Sequence, residues 1–190
     1  MDMTEVVLTH HNGTQAAEMW PDIYEVYRAA FGRPPHSQAE EDFRNFDDRA
    51  HTQFQQNGFD LVAARKDGAL TGFSYGHTLP SGSSWWQRFD PPLDPAFAME
   101  TGTRTFFVVE LAVHPDCQRQ GLGKAMLTEL LRPRTEERAT LASNPHVPDV
   151  QRMYERWGWE KVGRVAANTP TAPQPFFDIF LLRSLRSSGA

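Results

Sequence analysis

A single cysteine, Cys117, is the first constraint on this chain. It excludes an intramolecular disulfide and suits a reducing, cytoplasmic compartment. To act as a nucleophile it would need a base beside it, so an ordinary loop residue is the simpler reading. Lysine is nearly as scarce. Only Lys66, Lys124 and Lys161 occur among 19 basic residues, a bias that reads as genome composition rather than function. No basic run or stripe opposes the net charge of −5, which argues against nucleic acid as a partner. An acidic balance is compatible with a cationic substrate and says little more. No apolar run is long enough to span a membrane, and the opening Met-Asp-Met-Thr-Glu lacks the basic and hydrophobic regions of a signal peptide. Seven histidines show no ligand spacing, so no metal site is expected. Internal repeats and low-complexity tracts are absent. At 190 residues the chain suits one domain, residues 1–190, able to bury ~70% of its unfolded surface.

What is present centres on Val108 to Leu131. The stretch reads as a buried strand, a short loop containing Gly121 and Gly123, and an amphipathic helix with Leu122, Met126, Leu127, Leu130 and Leu131 on its apolar side. The glycines fall where the helix begins. Unpaired N–H groups and a partial positive charge gather at such a terminus, and glycine lets a ligand approach the backbone. The combination is an anion cradle, most simply for phosphate or pyrophosphate. A dinucleotide fingerprint would need a third glycine where Met126 stands. A P-loop would need glycine at Gln118 and a hydroxyl residue at Ala125. Both therefore fail on spacing.

The rest of the pattern alternates. Glu5–Thr9 reads as a first strand, and Gln15–Phe31 as a helix that Pro21 either kinks or opens. Ser37, with Glu40 three residues on, has capping-box spacing for a second helix to about Gln56, closed by Asn57-Gly58. Phe59–Arg65 and Ala69–Leu79 read as a hairpin turned by Lys66-Asp67-Gly68. A long loop follows over Pro80–Arg104, in which Trp85 and Trp86 are either a binding platform or a local mini-core. Thr105–Val113 has the doubly apolar pattern of a central strand. Then come the helix after Gly121, a strand over Arg138–Ser143, and a helix capped by Asp149. Gly158 ends that helix in the left-handed conformation with Trp159 folding back. Strands over Lys161–Ala166 and Phe176–Leu182 complete an α+β domain. A tight hairpin demands antiparallel neighbours and a helical crossover permits parallel ones, so the sheet is mixed.

Gln118-Arg119-Gln120-Gly121-Leu122-Gly123, after a strand ending Leu-Ala-Val-His-Pro, resembles the acyl-CoA signature of the GNAT N-acetyltransferase superfamily. A second match runs from Ser143-Asn144 to Tyr154 and Gly158-Trp159, with Trp159 where the family usually has phenylalanine. The resemblance covers roughly Glu5 to Leu182. It implies a GNAT fold with a mixed sheet of about seven strands and about four helices on its two faces. It implies acetyl-CoA as donor, with Gln118, Arg119, Gln120, Gly121, Leu122, Gly123 and Lys124 around the pyrophosphate. By the same resemblance, Leu111, Ala112 and Val113 pair with the pantetheine arm. Asn144 helps hold that arm, a backbone N–H near Val113 polarises the thioester carbonyl, and the Tyr154 hydroxyl protonates the departing thiolate.

Glu110 is the candidate base, being a carboxylate inside an apolar strand. Alternation groups its side chain with Phe106, Val108 and Ala112 unless a bulge intervenes. Pairing with an arginine, or anchoring a substrate amine without proton transfer, are the alternatives. His114 is a weaker relay candidate. Phe31, His77, Trp85 and Trp86 are the weakest assignments, to the acceptor. The expected function is acetyl transfer to the primary amine of a small molecule by direct attack in a ternary complex. Acetylation of protein or peptide N-termini, or a catalytically silent acyl-CoA-binding module, are the alternatives. A homodimer is left open.

Overall fold

The computed structural model describes residues 6–167, 169 and 171–185. Its elements are β1 (Val7–His11), α1 (Gly13–Glu18), α2 (Trp20–Phe31), α3 (Glu40–Gln53), β2 (Asp60–Lys66), β3 (Ala69–Thr78), α4 (Pro95–Ala98), β4 (Thr105–Val113), α5 (Leu122–Leu131), β5 (Arg138–Ser143), α6 (Pro148–Arg156), β6 (Glu160–Ala166) and β7 (Phe176–Leu182). The seven strands form one mixed sheet in the order β1-β2-β3-β4-β5-β7-β6. β4 and β5 pair in parallel, with register from Thr105↔Arg138 to Phe107↔Thr140.

Local chemistry explains where the boundaries depart from the sequence pattern. The first helix is two helices. α1 is capped by Asn12, which exchanges hydrogen bonds with Gln15, and Pro21 lies in the first turn of α2. Ser37 does not cap α3. That role falls to Ala39, whose N–H donates to Asp42 Oδ2 at 2.8 Å, half of a capping box. Asp149 is likewise inside α6, which starts after Val147 with Pro148 in its first turn. β1 begins at Val7, and Glu5 lies outside the described residues. The hairpin between β2 and β3 is as expected, with Asp67 at φ 51° and Gly68 at φ 82°. Gly158, at φ 88°, closes α6. Trp159 N–H bonds Tyr154 O and Gly158 N–H bonds Glu155 O, each at 3.0 Å, the paired bonds of a Schellman motif. The splitting of the first helix and the short α4 bring the helices to six.

The chain divides into two compact units. The first comprises residues up to His77 together with Val108–Pro133. Its core is aromatic. Ile23, Val26 and Tyr27 of α2 and Phe43, Phe46 and Ala50 of α3 recur at helical spacing. They meet Leu61 and Ala63 of β2, Phe73 and Tyr75 of β3, and Ala112 of β4. The Tyr27 and Phe46 rings stack with centroids 3.6 Å apart.

The second unit comprises Thr78–Phe107 and the chain from Arg134 onward. Its core gathers Trp86, Phe89, Val165, Ile179 and Leu181. Trp86 is 1% exposed and its indole N–H donates to Glu100 Oε1 at 2.7 Å. Arg138 bonds the same oxygen at 3.0 Å. The loop over Pro80–Arg104 is therefore structured around its own small core.

β4 carries one irregularity that matters for the site. Leu79 N–H bonds Thr105 O and His114 N–H bonds Thr71 O, both at 2.9 Å. Eight residue steps on one side of the ladder thus face nine on the β4 side. One extra residue in β4 is a β-bulge. Its signature is that Val109 and Ala112, an odd number of positions apart, pack against the same cluster. Strict alternation grouping Glu110 with Phe106 and Val108 as well as Ala112 does not hold through this segment.

Candidate active site

The glycine turn lies in the first unit. His114 leads into a 3₁₀ turn, Pro115–Cys117, and Gln118 folds its amide back to donate to Val113 O at 3.0 Å. Gln120 Nε2 donates to Asp116 O at 3.2 Å, fixing the other side of the loop. Arg119 (φ 60°) and Gly121 (φ 84°) both adopt left-handed backbone. Gly121 is the N-cap of α5, and a Cβ built on it would meet nothing within 4 Å. Space lies open over the helix end, and the glycine is required for its φ rather than for internal packing. No side chain caps α5 and its first turn holds no acidic residue. Its leading N–H groups are thus left for an outside acceptor.

Leu122 is buried and anchors the helix, whereas Gln118, Arg119, Gly121 and Lys124 are exposed. Gln120 keeps a buried amide oxygen without a partner among the described residues. Ala112 is buried, and Leu111 and Val113 are partly so. Cys117 is also buried, at 8% exposure. The His114 ring lies 3.7 Å from the Asp116 carboxylate and takes its N–H.

Glu110 occupies the bulged part of β4, where its carbonyl accepts the Ser74 hydroxyl at 3.0 Å. Its side chain is 13% exposed. Oε1 takes a hydrogen bond from Arg49 Nη2 at 2.8 Å, and Nη2 also lies 3.3 Å from the Tyr27 hydroxyl. Burial pushes the Glu110 carboxyl above its ordinary value, and Arg49 only partly offsets it. Burial works in the same direction on Tyr27 and Tyr75, and the Glu110 charge adds to it, so both phenols are held neutral. Tyr75 donates to Gln53 at 2.7 Å. Gln38 hydrogen-bonds to the Tyr27 hydroxyl. The arginine pairing weighed as one alternative for Glu110 is present, through Arg49.

Arg49, Gln38 and the two tyrosines are not visible as site residues from sequence. Arg49 sits in α3 among so many charges that spacing does not distinguish it. A carboxylate in an apolar strand did signal that a cation would be needed nearby.

Phe31 and His77 belong to this first unit. Phe31 packs its ring on Tyr27 at 4.6 Å and on His36 at 4.8 Å, while His77 is buried at the end of the unit's β3 segment. In the second unit, Asn144 Oδ1 accepts the His146 N–H at 2.9 Å, and its carbonyl accepts Gln151 Nε2 at 3.3 Å. Tyr154, on α6, is 9% exposed and packed among Trp157, Trp159 and Phe180. Trp85 lies against Phe107 at 4.4 Å and donates to Thr140 Oγ1 at 3.2 Å. Trp86 is core. No metal-holding group of three or more His, Cys, Asp or Glu occurs among the described residues, and no helix among them is long and apolar enough to cross a membrane.

Comparison with known proteins bears on this geometry. The family model "Acetyltransferase (GNAT) family" matches residues 20–159. The ribosomal-protein-S18-alanine N-acetyltransferase of Escherichia coli shares 17% identity, with 97% of this chain and 98% of that one covered and a TM-score of 0.59. The PaiA N-acetyltransferase of Thermoplasma acidophilum, solved in complex with coenzyme A, shares 11% identity over 94% and 98% of the two chains, with a TM-score of 0.57. NAA60 of Arabidopsis thaliana, solved with a bisubstrate analogue, shares 17% over 93% and 97%, with a TM-score of 0.60. No curated protein sequence matches the chain. At these identities the structural likeness is one of fold, and the family rests on the sequence model. That model spans both the glycine turn and the helix bearing Tyr154: the chain belongs to the GNAT family of acetyltransferases.

Proposed function

We propose that this chain moves the acetyl group of acetyl-CoA to a primary amine of a small molecule, by direct attack in a ternary complex. The observation that carries the donor half is the N-terminus of α5, with its left-handed glycine, open space and uncapped N–H groups. A pyrophosphate is the natural occupant of such a terminus. Leu122, Gly123 and Lys124 would supply N–H groups to it. Gln118, Arg119, Gln120 and Gly121 would shape the approach. Bulged β4 offers Leu111, Ala112 and Val113 as strand partners for the pantetheine arm, and Asn144 is the residue of the second unit assigned to that arm.

In this mechanism a backbone N–H near Val113 stabilises the oxyanion that develops on the thioester carbonyl, usually the largest single contribution to such catalysis. Glu110 receives the proton that the amine loses as its nitrogen bonds to the carbonyl carbon. The C–S bond breaks, the sulfur leaves with the bonding electrons, and the Tyr154 hydroxyl gives it a proton. A carboxyl raised by burial is better matched to proton transfer near neutral pH than an ordinary one.

The test is coenzyme release from acetyl-CoA with a panel of small amines, with peptide N-termini as controls. Saturable release with a small amine is expected. Turnover of peptides alone would shift the reading to N-terminal acetylation, and coenzyme binding without any turnover would make the chain a silent binding module. Within this scheme Tyr154→Phe should lower kcat only about tenfold, because a thiolate leaves without full protonation. KM for acetyl-CoA should stay unchanged, which steady-state kinetics will show.

A further inference from the structure

The proposed acceptor is a small amine, and the Glu110–Arg49 pair narrows its class. Each partner uses only part of its hydrogen-bonding capacity. Glu110 Oε1 is taken by Arg49 Nη2, whereas Oε2 has no partner among the described residues. Arg49 gives Nη2 to Glu110 and to the Tyr27 hydroxyl, whereas its Nε and Nη1 have no partner among the described residues. Both side chains reach solvent, Arg49 at 34% and Glu110 at 13% exposure. The guanidinium is held in place by the Phe46 ring, whose centroid lies 5.1 Å from its central carbon. Gln38, on the Tyr27 hydroxyl with Arg49, adds a buried amide oxygen that lacks a donor.

An amine acceptor arrives as an ammonium, and a lone ammonium is poorly served here. It gains from the Glu110 carboxylate and is repelled by the guanidinium bonded to that carboxylate, and at such short range the two effects are comparable. An acceptor that brings its own carboxylate satisfies both partners. Its ammonium lies on Oε2. Its carboxylate meets the remaining guanidinium N–H groups of Nη1, a charge-assisted contact to a cation already held in place. We infer that the acceptor is an amino acid, recognised as a zwitterion by Glu110 and Arg49. This inference rests on the small-amine reading and names its substrate class. Arg49 is then the specificity-determining residue, contacting the acceptor away from the reacting nitrogen.

The experiment is calorimetric titration of the coenzyme A-loaded chain with the standard L-amino acids, each alongside its carboxamide and its decarboxylated amine. Binding is read directly, so the result stands whether or not turnover follows. The acid should bind at least about tenfold more tightly than either analogue. Arg49→Gln should abolish that preference, and Arg49→Lys, which keeps the charge but not the several N–H groups of the planar guanidinium, should keep part of it. Amides binding as tightly as acids, no amino acid binding at all, or an undiminished acid preference in folded Arg49→Gln would each overturn the inference. Should Arg49→Gln fail to fold, the acid-to-amide ratio of the unaltered chain decides alone. Tight, acid-selective binding without acetyl transfer would uphold this inference and sink the catalytic reading.

Discussion

Replacing Glu110 with glutamine should lower kcat/KM for the amine about 10²- to 10⁴-fold, the range of a positioned general base. Glutamine preserves the volume and the acceptor that faces Arg49 Nη2, so the loss would report the missing charge and proton affinity rather than collapse of the site. The pH profile separates base from anchor. Burial raises the Glu110 carboxyl above the ordinary carboxylate value, with Arg49 opposing. A base must be ionised, so kcat/KM should fall as pH drops through this raised pKa, at a higher pH than an ordinary glutamate would give. Glu110→Gln should remove that acid limb. An unchanged limb in the variant would assign the titration elsewhere and leave Glu110 as an anchor. Coenzyme affinity should not change, because Glu110 faces α3 rather than the glycine turn.

Loss of Asp178 should cost the second unit about 2–4 kcal/mol, read by thermal or denaturant unfolding of Asp178→Ala. This carboxylate of β7 is fully enclosed. Burial alone would raise its pKa, but hydrogen bonds from Arg164 at 2.7 and 3.1 Å, Lys161 at 2.7 Å and Gln151 at 2.8 Å outweigh it and hold it at about 2. They tie β6 and α6 to β7. The two cations stay partly in water when Asp178 is removed, Lys161 at 39% and Arg164 at 53% exposure, which limits the penalty. The sign with pH is fixed by a folded pKa below the unfolded value. Asp178 therefore contributes its full stabilisation above pH ~4 and loses it as pH falls toward ~2, in all about 2 kcal/mol. Asp178→Asn should flatten stability across that window, and a persisting acid transition of the same size would assign it to other carboxylates.

Much of the glycine turn was legible because its signals are local. A left-handed glycine, a helix start and the spacing from Gln118 to Lys124 are all set by neighbours in sequence, as are the Asp67-Gly68 hairpin and the Gly158 cap. Helix starts were read less well. Ser37 and Asp149 have capping chemistry, but Ala39 and Val147 occupy the caps, since the chain's path into each helix decides which residue stands there. The surroundings of Glu110 depend on distance. Arg49 meets Glu110 across 61 positions, and the β4 bulge follows from its ladder with β3 rather than from any residue within it. Trp86 read equally as a platform or as core because an aromatic in a long loop has the same sequence signature in both roles. Its burial against Phe89 and Ile179 comes from β6, β7 and the loop closing together.

The central claim is that the α5 N-terminus holds the coenzyme through its pyrophosphate. Calorimetric titration with coenzyme A, compared with pantetheine, which lacks the pyrophosphate, tests it most directly. Saturable coenzyme A binding, with pantetheine at least about tenfold weaker, is the result expected if backbone N–H groups at this terminus carry the affinity. Equal binding of the two, or no saturable binding of coenzyme A, would contradict it.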